Sequence, residues 1–516
     1  MGAARLFFNM FIRKNKNRNN SISVQVISKD NGKYKLLKTL GTASTDQEIE
    51  FLYQRARQYI QDKQGTIGLF INRDDAVIES YLNTIKNGQI QVIGPELIFG
   101  KIYDTIGFAQ LKEELFRHLV ITRLYQPGSK LKTIDYLYRF MGISKSVDEI
   151  YRFLDKLSGQ LKWRVEEISF AHTKKVIGKD ISIVFYDMTT LYFESSDEDD
   201  LRKTGFSKDG KHQQPQIYLG LMVSVGGLPI GYDIFEGNIF EGHTLIPTLE
   251  KFEKRFSLNK PIIIADAGLL TEANIEKLQE KGYKYIIGAR IKNEAEKVKK
   301  RIISEKWDDG QSIRINKDEQ RRLVVSYSEK RAKKDAHNRQ RGLKRLEKNL
   351  KYGNLTKANI NKKGYNKYLK LIGKVTVKID YDKYWADKVW DGLKGYVTNT
   401  KLTPKQIIEN YNQLWQIEKA FRISKTDIRI RPIYHRLKNR IDGHICIAFT
   451  AYTVYKELER ILKKEKSSIS LKRAAELTHN IYQLKVILPE SKHQKSILLQ
   501  MDGEQTELYR LVLKHF

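Results

Sequence analysis

The chain has 516 residues, too many for one ordinary domain, and 41% of them are hydrophobic, enough to build cores in roughly two to four. Lys and Arg number 93 against 61 Asp and Glu, a net charge of +32 spread along the whole length, so the expected partner is a polyanion. One cysteine, Cys446, excludes an internal disulfide framework and a cysteine-rich zinc module, and no apolar run approaches the roughly 20 residues of a membrane span. Cytoplasm is the expected compartment, with no membrane partner.

The opening MGAARLFFNMFIRKNKNRNN puts an apolar patch before basic residues, the reverse of a secretory signal, and reads as a frayed terminus upstream of a start at Met10. Residues 21–41 alternate apolar and polar around Asp-Asn-Gly-Lys, the pattern of a β-hairpin. From Asp46 to about Gln160 the period is helical, interrupted at Pro127-Gly128. Within this stretch TIDYLYRFMGI and SVDEIYRFLDKL, linked through Gly142, suit either a DNA-reading helix-turn-helix or plain packed helices.

ISIVFYD, residues 181–187, is an apolar run ending in a carboxylate, as expected of a buried strand that delivers Asp187 at its C-terminal end. QIYLGLMVSV and LPIGYDIF flank Gly226-Gly227 and predict a hairpin, followed by a helix from about Thr244 to Phe256. KPIIIADAG predicts a second buried strand ending in Asp266, then a helix closed by Gly282 and the strand KYIIGA. Strand with Asp, hairpin, helix, strand with Asp, helix, strand is the order of a ribonuclease H-like fold, in which a last helix carries a third carboxylate. Thr403, Pro404 and Gln406 cap such a helix, PKQIIENYNQLWQIEKAFRISK. Glu418 is expected on its apolar stripe with Ile407, Tyr411, Leu414 and Phe421, facing the core.

FYDMTT, IIIADAG and YNQLWQIEKAFRISK resemble the DDE transposases of bacterial insertion sequences that share a Tyr-Arg-Glu-Lys signature, the IS four-like superfamily. The likeness extends to GNIFEGHT at 237–244 and IRPIYHRLKNRIDGHICIAF at 430–449, and spans about 180–450. Tyr411, Glu418 and Lys425 occupy signature positions, whereas Leu414 stands where Arg is expected; Arg422, one turn past the Glu, is a candidate replacement. The resemblance implies Asp187, Asp266 and Glu418 as catalytic metal ligands for two Mg²⁺ (or Mn²⁺) ions about 4 Å apart, with Asp187 bridging. It implies double-stranded DNA as partner, both transposon terminal inverted repeats and target, a homodimer in a synaptic complex, and a nucleoid-associated place in the cytoplasm.

Candidate DNA contacts are Tyr411, Arg422, Lys425, Arg429, Arg431, His435 and Arg436 on and after the Glu helix. Across Lys419–Arg440 eight cations, Lys438 and Arg440 among them, face only Asp427 in sequence. Asn238 and His243, with Glu241 as a reserve acid, sit in a Gly-flanked loop where they either cap the next helix or touch the scissile strand. Trp415 and His444 read as core. The basic run EKRAKKDAHNRQRGLKRLEKNL predicts a long helix that grips phosphate.

The expected organisation is an α/β chain with a mainly helical N-terminal region. Residues 1–175 form the hairpin and helical DNA-binding and assembly region; 176–292 the first part of the ribonuclease H-like catalytic domain; 293–395 a β-rich insertion; 396–445 the second part with the Glu helix; 446–516 a helical C-terminal region. Two rival functions use the same acids. A nuclease that cuts without joining would lack the insertion and the end-binding regions. A non-catalytic DNA-binding descendant of a transposase would not need an intact acid triad.

Overall fold

The computed structural model describes residues 10–18, 21–30, 32–64, 78–79, 81–178, 180–207, 210–211, 213–256, 259–269, 271–361, 364–373, 376–488 and 491–516. The chain divides into two compact units, residues 1–89 and 90–516.

In the first unit β1 (Met10–Lys16), β2 (Ile22–Asp30) and β3 (Lys33–Ala43) form an antiparallel sheet, and α1 (Asp46–Gln64) covers it. The expected hairpin is β2–β3, turning at Gly32 with φ +81°, a conformation free of cost only for glycine; Asn31 of that turn lies outside the described residues. The opening is not frayed throughout: Met10–Lys16 pairs with β2 in full register. Its alternation buries Met10 against Val24, Val26 and Ala56, and that apolar contact is what keeps it on the sheet edge.

The second unit begins with β4 (Ile90–Val92) and five helices, α2 (Lys101–Ile106), α3 (Glu114–Tyr125), α4 (Lys130–Met141), α5 (Val147–Lys156) and α6 (Lys162–Ile177). The pair expected as a helix-turn-helix is α4 and α5. Ser129 caps the first, left-handed Gly142 (φ +69°) ends it, and a Ser146/Glu149 capping box starts the second.

Next come β5 (Ile183–Tyr192), the hairpin β6 (Gln216–Val223) and β7 (Pro229–Glu236), α7 (Leu245–Phe256), β8 (Ile262–Ala265), α8 (Glu272–Glu280) and β9 (Lys284–Ala289). They alternate as the hydrophobic pattern requires. The segment 293–395 holds α9 (Glu296–Ser304), β10 (Ser312–Asn316), β11 (Arg322–Tyr327), the basic helix α10 (Glu329–Lys351), β12 (Leu369–Ile372), β13 (Thr376–Ile379) and α11 (Tyr381–Ala386), with β14 (Leu393–Thr398) at its end.

These strands build one eight-stranded mixed sheet in the order β10-β11-β14-β9-β8-β5-β6-β7. β5, β8 and β9 are parallel and the other neighbours antiparallel. The segment expected as a separate insertion therefore extends the main sheet through β10, β11 and β14, and only β12 and β13 pair apart from it. β11 and β14 bury Leu323, Val325 and Val397 in the same core as β8 and β9.

Period-two alternation divides the side chains between two cores. Val184, Tyr186, Ile263, Ala265 and Ile287 face α7 and α8. Phe185, Leu191, Ile264, Ile286 and Tyr396 face the opposite side, toward α12 (Pro404–Asn412), α13 (Trp415–Thr426) and α14 (Lys438–Lys464). Each fully buried Phe, Leu or Ile is worth about 1.5–3 kcal/mol. α14 buries 20 of its 27 residues and packs on α3, α5, α6 and β7, as a core helix does. α15 (Leu471–Thr478), β15 (Tyr482–Ile487), β16 (Gln494–Leu498) and α16 (Gly503–His515) complete the chain, and β15 pairs with β4. Among the described residues no helix is long and apolar enough to cross a membrane.

Candidate active site

The parallel register of β5 on β8 pairs Phe185 with Ile264 and Tyr186 with Ala265. One step further sets Asp187 beside Asp266 on strands about 4.8 Å apart. Both share the face of Phe185 and Ile264, the one that α12 and α13 cover. Strand β5 does not end at Asp187 as expected; it runs to Tyr192, with Asp187 paired to Leu221 of β6. What ends there is the parallel pairing, because β8 stops at Ala265 and turns away. Asp187 is half-buried and Asp266 exposed, as carboxylates at the mouth of a site should be.

α12 lays Tyr411 across these strand ends. Its ring is buried edge-on against Tyr396, centroids 4.9 Å apart, and its hydroxyl donates to Asp266 Oδ1 at 3.2 Å. Gly288 makes the room: a Cβ there would lie 2.5 Å from the Tyr411 hydroxyl. Burial, with Asp266 and Asp187 adding to it, holds the Tyr411 hydroxyl far above the usual phenol range, so it stays a donor. Tyr411, expected as a DNA contact, is buried here, with its hydroxyl on Asp266.

Lys394 was not singled out in the sequence. Its ammonium sits 4.4 Å from the Tyr411 ring centroid, on the same sheet face as Tyr396. Burial and then Arg331 push its pKa down, while Asp266 and Glu418 both draw it up. A lysine two residues before an inward tyrosine in the strand LKGYVT was the available signal.

The Glu helix starts as expected. Thr403 Oγ1 accepts from the Gln406 amide at 3.3 Å, with Pro404 in the first turn. It is not continuous, however, because α12 ends at Asn412 and α13 begins at Trp415. Leu414 fills the junction, buried, where the signature has Arg. The break resets the helix rotation: Ile417, Ala420, Phe421 and Ser424 turn inward and Glu418 is exposed. The expectation that Glu418 faces the core is corrected accordingly. Trp415, expected in the core, is 47% exposed for the same reason. Lys419, the next residue, is held by Glu459 of α14, which pins the rotation of α13 where it packs on β5.

Among the described residues no three His, Cys, Asp or Glu side chains are gathered tightly enough to cage a single ion. A two-ion arrangement has a different requirement, two carboxylates per ion with one shared. Asp187 and Asp266 act together on Tyr411, and Asp266 and Glu418 act together on Lys394. The donors are hard oxygens near a water-accessible mouth, which fits Mg²⁺. Glu241 lies next to them, Oε2 3.5 Å from where a Cβ of Gly268 would stand.

The remaining candidates are spread over several elements. Asn238 and His243 are exposed in the loop that carries Glu241. Arg422 and Arg429 are exposed, and Lys425 is half-buried. Arg431 lies over the Tyr192 ring at 5.5 Å. His435 is half-buried and pushed down to about 3 by burial, then by Lys130, Arg123 and Arg440. The cation density read from sequence is partly neutralised in space: Lys419 pairs with Glu459, Arg436 with Asp197 at 3.7 Å, and Arg440 with Asp155 at 3.0 Å. His444 is buried, as expected of a core histidine. In the basic helix α10, Arg339 is buried against Asp391 and serves packing.

A search of curated proteins gave no match. Among solved structures, a piggyBac transposase synaptic complex with hairpin DNA aligns at TM-score 0.37 and 11% identity, over 77% of this chain and 80% of that one. The family model of the transposase DDE domain matches residues 178–454, more than half of the chain, from before β5 into α14. The chain belongs to the transposase DDE domain family.

Proposed function

We propose that this transposase binds the ends of an insertion sequence, cleaves DNA by two-metal phosphodiester hydrolysis and joins the freed 3′-hydroxyl to target DNA. The observation that carries this reading is the register of β5 on β8, which brings Asp187 and Asp266 together beneath the helices bearing Tyr411 and Glu418. The order β7-β6-β5-β8-β9, antiparallel and then parallel, supports a ribonuclease H-like core. Its halves are 176–292 and 396–445.

In this reading Asp187, Asp266 and Glu418 would together hold two Mg²⁺ or Mn²⁺ ions. Bound there, the ions would activate water or a 3′-hydroxyl and stabilise the leaving oxygen. Tyr411 fixes the Asp266 carboxylate through its 3.2 Å hydrogen bond. Lys394 lies close enough to Asp266 and Glu418 to temper their repulsion. The exposed Arg422 and Arg429 and the half-buried Arg431 line the approach for phosphates, a contribution that salt would weaken steeply. Two ends must be cut and joined together, so the working form is at least a homodimer.

The test uses the full chain and DNA carrying the segment's own flanks. Mg²⁺-dependent nicking and joining to a target plasmid are expected from the parent. Asp187→Asn and Asp266→Asn should abolish both while end binding persists. Undiminished nicking by either variant sinks the assignment, and nicking without joining would favour a plain nuclease.

A further inference from the structure

Away from the carboxylates, a cavity of about 760 Å³ opens where the turn before α4 meets the segment after α13. Arg123 and Lys130 line it although only 5% and 8% exposed. Arg123 spends two nitrogens on backbone, Nη1 on the Gly128 carbonyl at 2.7 Å and Nη2 on that of Arg429 at 3.2 Å. Its Nε is buried with no partner. His444 Nε2 lies 2.9 Å from the Ile430 carbonyl. The ring is kept neutral by burial, so that nitrogen donates and cannot also accept from Arg123. Among the described residues neither Arg123 nor Lys130 has a carboxylate partner. Asp155, the acid that acts on His435, is held by Arg440 at 3.0 Å.

The twelve-residue helix α4 begins at Lys130, so the cavity also receives a helix N-terminus. Ser129 Oγ takes the Lys132 amide at 3.3 Å, while those of Lys130 and Leu131 have no acceptor within the helix. Two basic side chains more than nine-tenths buried and the first turn of a helix line one space. Burying such charge without an anion is costly. A phosphate group in the cavity would supply the negative charge that Arg123 and Lys130 lack.

We propose that this cavity is a phosphate-binding site, in which Arg123, Lys130 and the first turn of α4 hold one phosphate group. Burial lowers Lys130 well below its ordinary value, and an anion beside it would draw it back up. Arg431 joins the cavity to Tyr192 at the end of β5. Tyr192 is five residues beyond Asp187 on that strand, roughly 16 Å along it. The phosphate is therefore one in the backbone of the same bound DNA, a few nucleotides from the bond cut at the carboxylates. That DNA is its source rests on the DNA-cutting reading; that the cavity takes phosphate does not.

Melting of the full chain is followed with inorganic phosphate at constant ionic strength. The parent should gain about 2–4 °C at 20 mM phosphate. Lys130→Met, which keeps apolar length and removes the charge, should melt at or above the parent without phosphate and lose the gain. Lys297→Gln, an exposed cation elsewhere, should keep it. No gain in the parent, an equal gain in Lys130→Met, or a Lys130→Met chain that melts far below the parent would each overturn the site. In a second arm, end-bearing DNA should bind Lys130→Met about tenfold more weakly. Unchanged DNA affinity beside a lost phosphate gain overturns DNA as the source and leaves the carboxylate site standing.

Discussion

The Tyr411 hydroxyl donates to Asp266 Oδ1 across 3.2 Å, joining residues 145 apart in the chain. A carboxylate at a strand end swings freely unless something fixes it, and among the described residues this phenol is the side-chain donor that the covering helices bring to Asp266. Tyr411→Phe removes the donor and keeps the ring against Tyr396. A hydrogen bond to a charged group is worth about 1.5–3 kcal/mol, so Mg²⁺-dependent nicking should fall roughly tenfold or more with DNA binding unchanged. Parent-like nicking by this variant would mean that Asp266 orients itself.

Gly288 is the reason that hydroxyl can reach. A methyl there would come within 2.5 Å of it and 3.1 Å of the Ala267 amide nitrogen, a contact with backbone that cannot yield cheaply. Gly288→Ala should cost about 1–3 kcal/mol of stability by overpacking and depress nicking at least as far as Tyr411→Phe. The two changes act through one contact, so the double variant should lose less than the sum of the singles. Strict additivity in a double-mutant cycle refutes the link.

Both acids stand out in the sequence because a strand buried on both faces must be an unbroken apolar run, and IVFYD and IIIAD each reach a carboxylate, but the continuation of β5 beyond Asp187 to Tyr192 was not legible there. The start of the Glu helix was legible through Thr403, Pro404 and Gln406. Its break was not, since neither Gly nor Pro marks Gln413-Leu414; what makes Leu414 a junction is the core it fills. The periodicity of one straight helix therefore turned Glu418 the wrong way. Partners distant in sequence were equally hidden. Asp155, Asp197 and Glu459 neutralise Arg440, Arg436 and Lys419 from other elements. β10, β11 and β14 join the main sheet through pairings that composition cannot reveal.

Glu459 ties Lys419 of α13 to α14 and also holds the buried Lys456 of its own helix, with Lys463 3.1 Å away. Burial pushes its carboxyl up, but the hydrogen bonds from Lys419 and Lys456 outweigh that and bring it to about 2. A depressed folded-state value means a contribution present above the unfolded value, near 4.5, and lost as pH falls toward 2. Glu459→Gln should cost about 3 kcal/mol at pH 7 by stranding Lys456, and urea melts should show the gap to the parent closing between pH 4.5 and 2. A gap independent of pH would show that the cost lies in packing, not charge.

Glu418 offers the sharpest separation of chemistry from stability. It is exposed on α13, one residue from the anchored Lys419 and near enough to Lys394 to act on it. An exposed carboxylate contributes little to folding, so Glu418→Gln should leave the melting point within the range of a surface change, about 0.5 kcal/mol. End binding should also stay, because the nearby arginines are untouched. If Glu418 ligates metal, neutralising it removes one of only two carboxylates around an ion, and nicking and joining should both fall by roughly a hundredfold or more. Mn²⁺, which tolerates a poorer oxygen set than Mg²⁺, should recover part of the loss. The decisive measurement is the nicking rate of the folded variant in each metal. A rate near the parent's in Mg²⁺ would remove Glu418 from the site and make Glu241, beside Gly268, the next acid to test.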